Sequence, residues 1–269
     1  MKHAIRALRN AFLSPGRRLF GLSFSRDYLR FAWRAARNWG YGGPGAVEFL
    51  GHRVEYFNQS DTLFLIHEIF VNAIYTFESA SPRPRIVDCG ANIGMAVLFF
   101  KTFRPDAEVI AFEPDPITFA RLVRTVEVNG LRDVRLENAA VGDTEGIVAF
   151  YGSQSNSGGM IASVDPSWGG DARQEVRSVR LSRWIQEPID FLKLDVEGAE
   201  YGVVRDLIDT DAIRWVREAV IEYHELASQS DGVSDMIEAL RATGFDVRVT
   251  AAAPESKVGL IRARRIGKR

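Results

Sequence analysis

The apolar positions change period along the chain, and that change divides it. From Pro84 onward, short apolar runs bounded by turn residues alternate with stretches of helical period. The runs predict strands at 85–89, 108–112, 134–138, 146–151, 176–181, 191–194, 219–223, 245–250 and 257–262. Helices are predicted at 93–103, 115–129, 199–207 and 234–243, stopped by Pro105, Gly130 and Gly244 where those residues follow. Strands alternating with helices predict an α/β fold, a doubly wound, Rossmann-like, mostly parallel sheet of about seven strands. Upstream, residues 47–56 read as a hairpin, and Ser60 or Asp61 caps a helix to about Thr76. The start reads as two helical pieces parted by Ser14-Pro15-Gly16, with a linker at 40–45. This divides the chain into a partly helical extension, residues 1–60, and a domain from 61 to 269.

Charge sharpens the picture of the extension. Residues 1–41 hold nine basic residues against Asp27 alone, a surplus of eight, so the remainder carries −9 to reach the net −1. A near-neutral total argues against a globally basic DNA binder, and no DNA partner is expected. Arg30, Arg34 and Arg37 recur at helical spacing among Leu29, Phe31, Ala32, Trp33 and Ala36. Two readings follow: a helix that packs its aromatics on the main domain, or a peripheral contact of residues 1–40 with an anionic membrane. An organellar transit peptide is a third reading of the same composition. No apolar run approaches the roughly 18 residues of a membrane span, and no secretory leader is visible. The one cysteine, Cys89, allows no internal disulfide, which fits a reducing compartment and a cytoplasmic location.

The chemistry gathers at the predicted strand ends. The first strand runs into Asp88-Cys89-Gly90-Ala91-Asn92-Ile93-Gly94, a D-x-G-x-x-x-G spacing. A dinucleotide site would show G-x-G-x-x-G, and the middle glycine is absent, so a nicotinamide oxidoreductase is disfavoured. The turn suits a nucleoside without phosphates: Gly90 makes the turn, Gly94 allows close helix packing, and Asp88 accepts hydrogen bonds. Glu113, before Pro114, closes the next strand 23 residues beyond Gly90. A carboxylate there is placed to take two ribose hydroxyls. Asn138 and Ala139, after the third strand, border the position of a base. The run Phe191-Leu192-Lys193-Leu194 leads into Asp195, Glu197, Gly198 and Glu200, and Ile221-Glu222-Tyr223-His224 closes a further strand. Strand alternation puts Glu222 and His224 on one face. Asp195, Glu197 and His224 are therefore the candidates for acid–base work. Lys193 is either an outward alternating residue or a partner that neutralises these acids. A hard divalent cation on the carboxylates stays open, although no dedicated metal spacing is visible.

These motifs together resemble the FkbM-type methyltransferases. The likeness covers roughly residues 86–259 and rests on the Val87–Gly94 turn, Phe112-Glu113-Pro114, Asn138 to Asp143, the segment Ile189 to Glu200, and Glu222-Tyr223-His224. It implies a class I methyltransferase fold, S-adenosylmethionine as donor, and transfer to an oxygen of a small-molecule or glycan acceptor. Under it, Asp88, Gly90, Asn92, Gly94, Glu113, Pro114, Asn138, Ala139 and Asp195 hold the donor. An RNA or protein acceptor is the alternative, with the basic extension as anchor. It lacks a cysteine outside the cofactor turn and an Asn-Pro-Pro-Tyr segment. A non-catalytic donor-binding protein would have no need of the Asp195 cluster. The loop 153–170 and the N-terminal helices are expected to shape the acceptor side.

Overall fold

The computed structural model describes residues 13–37, 43–152, 163, 172–225, 232–251 and 257–267. It begins with helix α1 (Pro15–Arg37), the hairpin β1 (Gly45–Phe49) and β2 (His52–Tyr56), and helix α2 (Gln59–Leu65). Next come β3 (Arg85–Cys89), α3 (Met95–Phe103), β4 (Glu108–Phe112), α4 (Pro116–Val128) and β5 (Val134–Glu137). Three strands follow, β6 (Ala140–Gly142), β7 (Gly146–Gly152) and β8 (Ala172–Arg180). The chain ends with β9 (Ile189–Leu194), α5 (Glu200–Asp209), β10 (Val216–His224), α6 (Gly232–Ala242), β11 (Phe245–Ala251) and β12 (Val258–Arg265).

Seven strands form the central sheet in the order β11–β12–β10–β9–β3–β4–β5. Neighbours from β10 to β5 pair in parallel, while β12 runs antiparallel to both β10 and β11. The chain leaves β3 for β4 and β5, then returns to β9 on the other side of β3. That reversal opens a crevice beyond the carboxyl ends of β3 and β9, where ligands of open α/β sheets bind. The runs expected at 146–151 and 176–181 do form strands, but in a separate three-stranded sheet, β6–β8–β7. The third central strand stops at Glu137, because Asn138 turns its side chain onto the end of β4.

The first residues of the chain do more than extend it. Leu13 is helical, Ser14 is a bend, and Ser14 accepts the amide of Arg17 to start helix α1, so Ser14-Pro15-Gly16 parts two helical pieces as expected. A further break falls at Gly21, where φ is +74°; the first helical piece lies largely outside the described residues, as does most of the 40–45 linker. Phe24, Tyr28, Phe31, Phe49 and Tyr56 share one core with Ile86, Ala111, Phe191 and Val220. Phe24 and Phe31 have no exposed surface, and burying each stabilises the fold by roughly 1.5–3 kcal/mol. Edge-on ring pairs link the layers: Phe49–Phe70 at 5.1 Å and Phe70–Phe99 at 5.4 Å. A second core on the opposite face gathers Leu192, Leu194, Val203, Leu207 and Ile221.

The expected helix to Thr76 is shorter and less regular. Asn58, rather than Ser60 or Asp61, caps it by accepting the amides of Ser60 and Asp61. At Ile66 the helix widens into a π-helical turn, Ile66–Val71, and Ala73 at φ +53° prevents its continuation. Gly16 lies so close behind this turn that a Cβ there would sit 1.8 Å from the Phe70 carbonyl oxygen. A π-turn shifts the helical register by one residue, and such turns gather at functional sites.

Candidate active site

Asp88 and Lys193 are register partners on β3 and β9, and both are buried. The Lys193 ammonium lies 3.2 Å from Asp88 Oδ1 and 3.3 Å from Asp195 Oδ2. It also donates to the carbonyl of Gly90 at 2.7 Å. Lys193 is therefore a strut that ties the glycine turn to the Asp195 segment. Burial opposes its charge, but Asp88 and Asp195 outweigh burial and hold the ammonium well above its ordinary pKa. Burial pushes the Asp88 carboxyl up, and Lys193 counters that rise. The ring of Tyr75 lies 5.7 Å from the ammonium.

The turn itself is stitched to the sheet. Gly90 and Ala91 donate their amides to the carbonyl of Phe112, and Asp195 donates its amide to Cys89. Gly90, at φ +85°, passes so near the next segment that a Cβ would meet the Asp195 carbonyl oxygen at 1.8 Å. Gly94, at φ +93°, packs on α4, where a Cβ would meet Leu122 at 2.9 Å and Thr125 at 3.1 Å. Asn92 takes φ +50° and accepts the Ile93 amide at 2.7 Å. Glu113 spans the turn and the end of β4, accepting the amides of Asn92 and Asp115, each at 2.9 Å. Each of its oxygens keeps a second acceptor site. Burial raises its pKa to about 7, against the pull of those two amides. Asn138 donates to the carbonyls of Glu113 and Pro114, which fixes the strand end. Ala139 is buried, backbone included, and offers no surface to a ligand.

The second half of the site lies across the crevice. Ile221 pairs with Leu194 at the end of β9, so Glu222, Tyr223 and His224 run past β9 while still paired with β12. His224 Nδ1 stands 3.1 Å from Glu200 Oε1, and Nε2 stands 3.2 Å from Glu197 Oε2. Carboxylates only accept, so both ring nitrogens donate, and the buried Glu200 holds the ring's orientation through Nδ1. Glu200 is fully buried and also accepts the amides of Val196 and Gly198. Glu197 sits at φ +54°, and its carbonyl accepts the hydroxyl of Ser163. Ser163 is the only described residue of the loop 153–170 that was expected to shape the acceptor side. Burial alone would lower the His224 pKa; Glu200, Glu197 and Asp195 raise it to about 9. Asp195, Glu197 and His224 each offer one ligand atom, all within 4.8 Å of one another.

Two further carboxyls complete this side. Burial raises Glu222 to about 9, helped by Asp195 and Glu68, and its Oε1 lies 4.0 Å from His224 Nε2. Burial likewise raises Glu68 to about 7, with Asp195 adding to it. Glu68 comes from the π-helical turn and was not among the residues singled out from the sequence. Glu200 was placed in the Asp195 segment from the sequence but was not among the acid–base candidates; the capping-like spacing of Glu197-Gly198-Ala199-Glu200 was the available signal for more. The thiol of Cys89 is buried and its pKa driven up by that burial, so it is not a nucleophile.

The family model of the methyltransferase FkbM domain matches residues 88–247. The chain belongs to the FkbM methyltransferase family. It is 32% identical over 233 residues to the 31-O-demethyl-FK506 methyltransferase FkbM of Streptomyces tacrolimicus, covering 73% of this chain and 86% of that protein. It is 31% identical over 243 residues to AMB antimetabolite synthetase AmbE of Pseudomonas aeruginosa, of which it spans only 11%. The crystal structure of methyltransferase FkbM from Methylobacillus flagellatus KT superposes with a TM-score of 0.50 at 14% identity, over 91% of this chain and 60% of that one. That likeness shows the shared Rossmann-like fold. FkbM membership makes the chain an S-adenosylmethionine-dependent methyltransferase. Among the described residues, no helix is long and apolar enough to cross a membrane.

Proposed function

We propose that the chain methylates a hydroxyl oxygen of a sugar, glycan or hydroxylated small metabolite, with His224 as the general base. The carrying observation is the Glu200–His224–Glu197 arrangement, in which a buried carboxylate orients an imidazole at the edge of the cofactor crevice. The relative whose name specifies a 31-O-demethyl substrate supports an oxygen acceptor. The donor fits the turn on structural grounds: Glu113 spans it with an acceptor site left on each oxygen, and the buried Asp88 carboxyl keeps Oδ2 without a hydrogen-bond partner among the described residues. In this reading Asp88, Gly90, Asn92 and Gly94 form the cradle, Glu113 takes the ribose hydroxyls, and Pro114 and Asn138 border the base.

The donor, when bound, supplies a methyl group already activated by its sulfonium, so the protein's work is placement and proton removal. His224 Nε2 accepts the acceptor's hydroxyl proton as the oxygen attacks. Glu200 stabilises the imidazolium, and Asp195 and Glu197 hold the acceptor by hydrogen bonds to its hydroxyls.

Glu113→Ala is expected to weaken S-adenosylmethionine binding roughly 10- to 100-fold, since hydrogen bonds to a charged group are worth about 1.5–3 kcal/mol. Calorimetric titration measures this, and an unchanged affinity would sink the ribose assignment. Turnover is expected to survive EDTA. Loss of turnover that Mg²⁺ or Mn²⁺ restores would instead assign Asp195, Glu197 and His224 to a divalent cation.

A further inference from the structure

Helix α1 has two unlike faces. Phe24, Tyr28 and Phe31 point into the core. At about 100° per residue, Arg26, Arg30, Trp33 and Arg34 fall within an arc of about 100° on the other side. All four are exposed; Trp33 keeps 62% of its surface accessible and the Arg26 side chain 68%. Ahead of the Gly21 break Arg18 and Leu19 are also exposed, Leu19 at 41%.

Most of the charge on this face is not cancelled. Asp27, the only acidic residue in the first 41, accepts the amide of Leu50 at 3.0 Å with one oxygen and Arg26 Nε at 3.0 Å with the other, which offsets one arginine. Arg18, Arg30 and Arg34 have no acidic partner among the described residues. The rest of the chain carries −9. A surface of arginines with an exposed tryptophan and leucine, on an otherwise acidic body, matches a layer of anionic headgroups over apolar chains. The opposed charge of the body sets the orientation by turning this face toward the anionic layer.

We propose that α1 is a peripheral docking surface for an anionic phospholipid bilayer, with the arginines on the headgroups and Trp33 at the interface. The placement serves the site. Helix α1 packs directly behind the π-turn that carries Glu68, through Phe20–Phe70 at 5.8 Å and the close approach of Gly16. Docking therefore brings the acceptor side of the crevice to within one layer of the membrane.

Co-sedimentation of the full chain with phosphatidylcholine vesicles, with and without phosphatidylglycerol, tests this. The chain should partition onto the anionic vesicles only, less so as salt rises. Arg26→Glu/Arg30→Glu/Arg34→Glu should lower partitioning at least about 100-fold, and Trp33→Ala should lower it further while S-adenosylmethionine affinity stays unchanged. Equal partition onto both vesicle types, or a triple variant that binds like the parent, overturns the proposal. Failure to bind anionic vesicles, combined with salt-dependent RNA binding lost in the triple variant, overturns it in favour of a nucleic-acid surface.

Discussion

Replacing Lys193 by Met is expected to destabilise the fold by about 3–5 kcal/mol, the usual result of removing one partner from a buried ion pair. Asp88 is fully buried, and Lys193 is the cation that answers it. Without the ammonium, the Asp88 charge and the Gly90 carbonyl both lose their partner at the point where the turn meets the Asp195 segment. The loss should appear as a lower midpoint in urea unfolding, with weaker S-adenosylmethionine binding. Adding Asp88→Asn to the Lys193→Met chain should recover much of the stability, because a pair removed together leaves no unpaired charge. A single variant that costs under about 1 kcal/mol, with additive behaviour in the double, would show that the strut carries little.

Replacing His224 by Gln should lower turnover roughly 10²- to 10⁴-fold, the span of general acid–base catalysis. The parent protein's pH profile should identify the same group. With its pKa raised to about 9, His224 is an imidazolium at neutral pH and acts as a base only after losing that proton. The value of kcat/KM should therefore climb about tenfold per pH unit from neutrality and level off above about pH 9. His224→Gln should flatten the climb. Glu200→Gln removes the largest attraction on the imidazolium, so the plateau should begin at lower pH. Stability runs the other way. A histidine whose folded pKa is raised stabilises the fold fully below its ordinary value of 6.5, and that contribution fades as pH rises through about 9. Activity should thus increase over the range in which the fold weakens.

The donor half of the site was legible because its signals are local. A strand running into Asp88-x-Gly90 and a carboxylate at the next strand end both follow from short-range pattern. Sheet topology then forces them together. Alternation along β10 likewise put Glu222 and His224 on one face. The acceptor half was less legible, since it depends on contacts between elements distant in sequence. Lys193 read equally well as an outward residue, and only the β3–β9 register makes it a strut. Glu68 sat among the polar positions of a predicted regular helix, and the π-turn that re-aims it leaves no mark in the apolar period. The aromatic half of α1 was visible as composition. That its rings join the core above β3, β9 and β10 required the fold.

The proposed reaction transfers the methyl group to oxygen in a His224-dependent step. The most direct measurement is to supply methyl-labelled S-adenosylmethionine with pooled glycans and hydroxylated metabolites, and to identify by NMR the atom that carries the label. An O-methyl product should form with the parent protein and fall at least about 100-fold with His224→Gln. A label on nitrogen or carbon, or O-methylation undiminished in that variant, would contradict it.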